Sequence, residues 1–222
     1  MLLLAADTSG KHGSIALSRC GPDVCVPLEV VPLDGGTFSA ELVPKVAALL
    51  AKHGLGKRDI AGFAVVSGPG SFTGLRVGLA AMKALAEVFA KPIAAVSLLE
   101  AMAVSGRSQG KVIAALDAGR GDIYAGQYCV NSSEAHLESE RLLTRSELIR
   151  LAVGCIVLTA DHALAEEARG AALQVEEIEL PRADTIASMG WKKILTGRTV
   201  LPGELDANYI RRSREIFSKS GS

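Results

Sequence analysis

The sequence predicts an α/β protein with mixed sheets, laid out as two halves on one plan. Three observations predict it. The first half alternates as three strands, then helix, strand, helix, strand, helix, which is the pattern of a layered α/β fold. Two apolar runs, residues 2–6 and 112–116, each stop at an aspartate, Asp7 and Asp117, followed by small residues. A glycine-rich turn containing Gly68, Gly70 and Gly74 leads from a third apolar run into a long apolar helix.

The elements follow in order. Residues 2–6 form a continuous apolar run, the mark of a buried strand. Residues 14–18 alternate and end at the turn cluster Cys20, Gly21, Pro22, Asp23; residues 24–33 read as a third strand. A helix is expected over residues 39–53, with Ser39 as N-cap and Gly54 as stop. Pro44 lies deep enough in it to remove a backbone donor, so a kink, or a regular helix beginning near Pro44, is expected. Residues 62–67 form a strand, 75–90 a helix, 92–96 a strand and 97–105 a helix. In the second half, strands are expected at 112–116, 122–130 and 156–159. Helices are expected at 144–151, from Asp161, and at 185–195, which holds Trp191; Thr144 and Glu147 form a capping-box pattern. This half shows no three-strand meander and reads as a trimmed copy of the first. The division falls near residue 105, giving lobes 1–105 and 106–222.

Composition narrows the function classes. The 222 residues carry 24 lysines and arginines against 24 aspartates and glutamates, so the net charge is zero. Nucleic-acid binders show a basic excess or patch. Here the cationic cluster is Arg211, Arg212 and Arg214, so RNA is expected to be reached through a partner. Cys20, Cys25, Cys129 and Cys155 form no CxxC pair, which points to reduced thiols rather than a zinc site or disulfide scaffold. The apolar start is too short for a signal segment, and no run reaches membrane-span length. A soluble, cytoplasmic protein is expected.

Three motifs could carry chemistry. Asp7, Thr8 and Ser9 follow the first strand; they suit either a self-bonded turn or a weak nucleotide-phosphate site. Gly68, Pro69, Gly70, Ser71 and Gly74 form a shaped turn before a helix, and either a structural turn or an anion cradle fits. It is neither a Walker loop nor a GxSxG elbow. In the following helix the long charged residues Arg76, Lys83 and Glu87 share one narrow stripe. Apolar side chains spread over roughly 200° of the rest, more than one buried face needs. That leaves surface for a second neighbour. The expected partner interface comprises Leu75, Leu79, Met82, Leu85 and Phe89, joined by Leu42, Val46, Leu49 and Leu50 of the earlier helix. His12, His53, His136 and His162 are scattered without an HExxH pair, so no catalytic metal centre is expected.

Several segments in order complete a resemblance: residues 4–9, the stretch Ser67-Gly68-Pro69-Gly70-Ser71-Phe72-Thr73-Gly74-Leu75-Arg76, residues 96–100, and residues 117–124 from Asp117 to Tyr124. The chain resembles the TsaB (YeaZ) family. The resemblance covers most of the chain and is weakest between Asn131 and Gly170. It implies a two-lobed actin-like fold. It also implies a non-catalytic subunit that pairs, through first-lobe helices, with a catalytic TsaD-type subunit. With a TsaE-type ATPase, that complex transfers a threonylcarbamoyl group to the adenosine beside the anticodon of certain tRNAs. The apolar helix pair leads to the expectation of a homodimer for the isolated chain, and the candidate cofactor is ATP or ADP at a subunit interface. One position departs from the resemblance: Phe38 stands where family members often carry a polar His-Ser or Ser-His pair, and suits an apolar contact instead. The competing reading is a small ATP-dependent phosphotransferase of the same fold using Asp7, Asp117 and the glycine turn.

Overall fold

A computed structural model describes residues 1–132, 134–208 and 210. Strands β1 (Leu2–Asp7), β2 (His12–Cys20) and β3 (Cys25–Asp34) form an antiparallel meander. Strand β4 (Ile60–Gly68) pairs parallel to β1, and β5 (Ile93–Ser97) parallel to β4, giving the order β3-β2-β1-β4-β5. β1 and β4 are buried on both faces, which is why they read as continuous apolar runs rather than alternating ones.

The second sheet repeats this plan. Strands β6 (Gly110–Gly119), β7 (Asp122–Asn131) and β8 (Glu134–Thr144) form a meander, and β9 (Ile156–Thr159) and β10 (Gln174–Glu177) add in parallel. The order is β10-β9-β6-β7-β8, the same topology as the first sheet. The expectation of a second half without a meander is therefore corrected. β8 escaped sequence reading because it is an edge strand whose apolar alternation is confined to Ala135 and Leu137, between the exposed Glu134, His136 and Glu138. The trimming lies in the helices: α4 (Arg145–Leu151) and α5 (His162–Gly170) are shorter than α1 (Phe38–Lys52) and α2 (Phe72–Val88).

Two further helices bind the lobes together. α3 (Leu98–Ser105) packs on both sheets, and Gly126 lets β7 approach it so closely that an added Cβ would sit 3.0 Å from the Leu99 Cβ. One core consequently runs from Leu4 and Phe63 in the first sheet to Val112, Tyr128 and Leu158 in the second. α6 (Ala183–Leu195) returns to the first sheet, burying Ile186, Met189 and Trp191, with Gly190 pressed on Ala64. A division at residue 105 separates the two sheets but not the two packing units, because α6 belongs with β1, β2, β4 and β5.

Two expectations change in detail. α1 runs uninterrupted through Pro44, whose ring is exposed. The β2–β3 register sets Cys20 and Cys25 opposite each other, and they are joined by a disulfide rather than standing as free thiols; Cys129 and Cys155 are free. Among the described residues, no helix is long and apolar enough to cross a membrane.

Candidate functional site

The turn after β1 is held by its own side chains. Asp7 Oδ1 accepts from the Ser9 amide at 2.8 Å and from Ser9 Oγ at 2.6 Å. Burial pushes the Asp7 carboxyl above its ordinary value, and the two Ser9 hydrogen bonds oppose that rise. Thr8 Oγ1 donates to the Gly74 carbonyl at 2.7 Å, and the Ser71 amide donates to the Ser9 carbonyl at 2.7 Å. The glycine turn thus lies directly on the aspartate turn.

Its glycines are required by that contact. A Cβ on Gly70 would collide with the Ser9 carbonyl oxygen, and one on Gly74 with the Thr8 carbonyl oxygen. Farther along α2, a Cβ on Gly78 would collide with Thr8 Oγ1. Gly68 also takes φ +128°, which L side chains rarely adopt. Ser71 caps α2 by accepting from the Gly74 amide at 3.3 Å. These contacts give the turn a structural role, and Gly70, Ser71 and Gly74 also line the interlobe cavity.

Between the lobes lies a cavity of about 1200 Å³, lined by Ser9, Lys11, His12, Phe38, Thr73, Asp117, Asp161 and His162 among others. Asp117 and Ser9 both line it. Asp7 does not line it, because its carboxylate is turned onto Ser9. Asp161 and His162 were not singled out as site residues from sequence. Their signal was present, since Asp161 closely follows an apolar strand run, as Asp7 and Asp117 follow theirs. Asp161 also caps α5, accepting from the amides of Ala163 at 2.9 Å and Leu164 at 3.1 Å. Phe38 is buried at the cavity floor, its ring 3.0 Å from where a Gly13 Cβ would stand, so it makes the apolar contact expected of it.

His162, Glu166 and Glu177 bring potential metal ligands within 4.8 Å of one another. Arg169 already pairs with Glu166 and Glu177 at 2.6 Å each, and His162 Nδ1 lies 3.0 Å from Glu177. Glu177 thereby holds His162 above its ordinary value. The cluster is a surface ion-pair network.

The expected partner interface needs correction at the level of residues. Leu42, Val46, Leu49, Leu50, Leu75, Leu79 and Met82 are buried in the chain's own core, and Leu85 and Phe89 are half-buried against it. A helical wheel shows how much apolar surface a helix has, not which part the sheet takes. The outward face of α1 and α2 carries other residues: Val43 (53% exposed), Phe72 (53%) and Val88 (75%), with exposed Ala47, Ala80 and Ala84. The Arg76 guanidinium lies 3.7 Å over the Phe72 ring. The Arg211, Arg212 and Arg214 cluster lies outside the described residues.

The family model described as "TsaD: tRNA N6-adenosine threonylcarbamoyltransferase" matches residues 32–189. The "tRNA threonylcarbamoyladenosine biosynthesis protein TsaB" of Bacillus subtilis is 37% identical over 129 residues, 58% of this chain and about half (55%) of that protein's length. The protein of the same name from Escherichia coli is 29% identical over 226 residues, covering 96% of each chain. A solved structure, "YeaZ from Pseudomonas aeruginosa", superposes with a TM-score of 0.76 over 94% of this chain and 99% of that one, at 24% identity. That likeness concerns the fold, and the two mixed five-stranded sheets fit the actin-like plan.

Proposed function

Because this chain belongs to the family of tRNA N6-adenosine threonylcarbamoyltransferase (TsaD), on its TsaB (YeaZ) branch, we propose that it serves tRNA threonylcarbamoyladenosine biosynthesis as a partner subunit. In this reading it pairs with a TsaD-type catalytic subunit and activates it. The carrying observation is the outward α1–α2 face, where Val43, Phe72 and Val88 stand exposed among alanines small enough for another helix to approach. Exposed apolar surface of this kind marks interaction sites. A TsaE-type ATPase joins the assembly, tRNA is reached through the partner, and any ATP or ADP sits at the subunit interface. The isolated chain pairs with itself through the same face.

The test is light scattering on size-separated samples of the chain alone and mixed with its TsaD-type subunit. A one-to-one species that displaces the homodimer is expected for wild type. Val88→Asp and Ala80→Asp, both exposed, should keep the fold and lose the pairing. Undiminished pairing in both variants would refute this face.

One observation favours a second reading. Ser9, Asp117 and Asp161 share the interlobe cavity, and carboxylates beside a hydroxyl could hold magnesium-bound phosphate for an ATP-dependent phosphotransferase. Magnesium-dependent ATP turnover by the pure chain, lost in Asp117→Asn, would establish that reading over the first.

A further inference from the structure

After α6 the chain crosses back over the first lobe. The Val200 amide donates to the Ile93 carbonyl at 3.0 Å, and Lys83 Nζ reaches the Gly203 carbonyl at 3.3 Å. Leu205 is the one fully buried side chain between residues 200 and 208. The crossing ends on Asn208, whose amide donates to the Ser67 carbonyl at 2.7 Å. Its carbonyl oxygen would stand 2.9 Å from a Cβ on Gly68. This segment therefore lies across the turn that opens α2. It also walls a cavity of about 430 Å³ that Phe72, Leu75, Arg76 and Tyr124 line.

One side chain ties that end down. Glu140 on β8 accepts from Asn208 Nδ2 at 2.7 Å through Oε2. Through Oε1 it accepts from Ser97 Oγ and from Tyr128 OH, both at 2.5 Å. Its three partners come from three places: the end of β5 in the first lobe, β7 in the second, and the crossing segment. Tyr128 is almost wholly buried, so its hydroxyl needs an acceptor, and Glu140 supplies it. Hydrogen bonds to a charged acceptor are the stronger kind. Leu205 is its one buried anchor, Val200 and Ala207 are half-buried against the core, and the remaining ties are polar; a peripheral segment held in this way belongs to the low-stability part of a structure, able to open on its own.

We propose that residues 200–208 form a releasable strap latched by Glu140, and that releasing it uncovers the buried turn at Gly68 and Pro69 that leads into α2. The same carboxylate keys the two lobes to each other at that point. Strap and lobe junction therefore loosen together while the sheets stay folded.

Hydrogen exchange by mass spectrometry on the full chain tests this, comparing wild type with Glu140→Ala, Glu140→Gln and the exposed control Glu138→Ala. In Glu140→Ala, exchange across 200–208 and at residues 98–100 should rise on the order of tenfold or more, with the strands of both sheets unchanged. Glu140→Gln, which keeps an acceptor and a donor, should fall between, and Glu138→Ala should match wild type. Unchanged exchange of 200–208 in Glu140→Ala overturns the latch. If Glu140→Ala loosens the whole chain, the unsatisfied Tyr128 hydroxyl is the cause to remove. The Tyr128→Phe/Glu140→Ala pair then decides: selective loss of strap protection supports the latch, and a protected strap overturns it.

Discussion

Asp7 shows how one residue can serve two physical demands that pull apart. Its burial raises the cost of charge, while its two hydrogen bonds from Ser9 repay part of it. The net result is a folded-state affinity for protons above that of the unfolded chain. Charged Asp7 therefore costs stability above its folded pKa, and the cost is relieved as pH falls through that value. Asparagine keeps an oxygen that can accept from Ser9 and removes the charge. Asp7→Asn is expected to unfold at a temperature equal to or above wild type at neutral pH, with the gap narrowing as pH falls. Calorimetry across that range checks it; a loss beyond about 1 kcal/mol at neutral pH would show that the charge-assisted bonds dominate. From sequence, Asp7 fitted both a turn and a phosphate site. The structure places its carboxylate on Ser9, outside the cavity wall.

Among the elements, α2 was the most legible and the most misread. Its glycine entry, length and apolar excess were all visible in the residues. Which apolar side the sheet would take was not, because that depends on where β1 and β4 lie. Leu79 illustrates the consequence. It was expected to face a partner, yet it is buried in the core. An aspartate there places an unpaired charge inside the protein, a cost of about 3 kcal/mol or more. Leu79→Asp should therefore shift the urea midpoint sharply downward, whereas Val88→Asp should leave it where it is. A Leu79→Asp chain as stable as wild type would mean that α2 turns a different face to the sheet. β8 failed for the opposite reason. Its alternation is short, confined to Ala135 and Leu137, and breaks at the polar run Glu138 to Arg141, because an edge strand needs no long apolar face. With it went Glu140, invisible as a site residue until β7, β5 and the crossing segment converge on it.

At the scale of the whole molecule, the two halves look alike because they are topological copies, and the sequence showed that through paired strand-end aspartates. The copies are not independent. α6 leaves the second lobe to cover the first sheet, and α3 leaves the first to brace the second. Burying Ile186, Met189 and Trp191 removes three large side chains from water, each contributing about 1.5–3 kcal/mol. Their sum is comparable to the roughly 5–15 kcal/mol that holds a whole domain folded. Residues 1–105 alone would expose that face of the first sheet, together with the side of α3 that packs on β6 and β7. The fragment should show no cooperative thermal transition and should bind hydrophobic dyes. Adding residues 106–222 in trans should restore the transition and bury the single tryptophan, read as a change in its fluorescence. Independent cooperative folding of 1–105 would mean that α6 contributes far less to the first lobe than its buried face indicates.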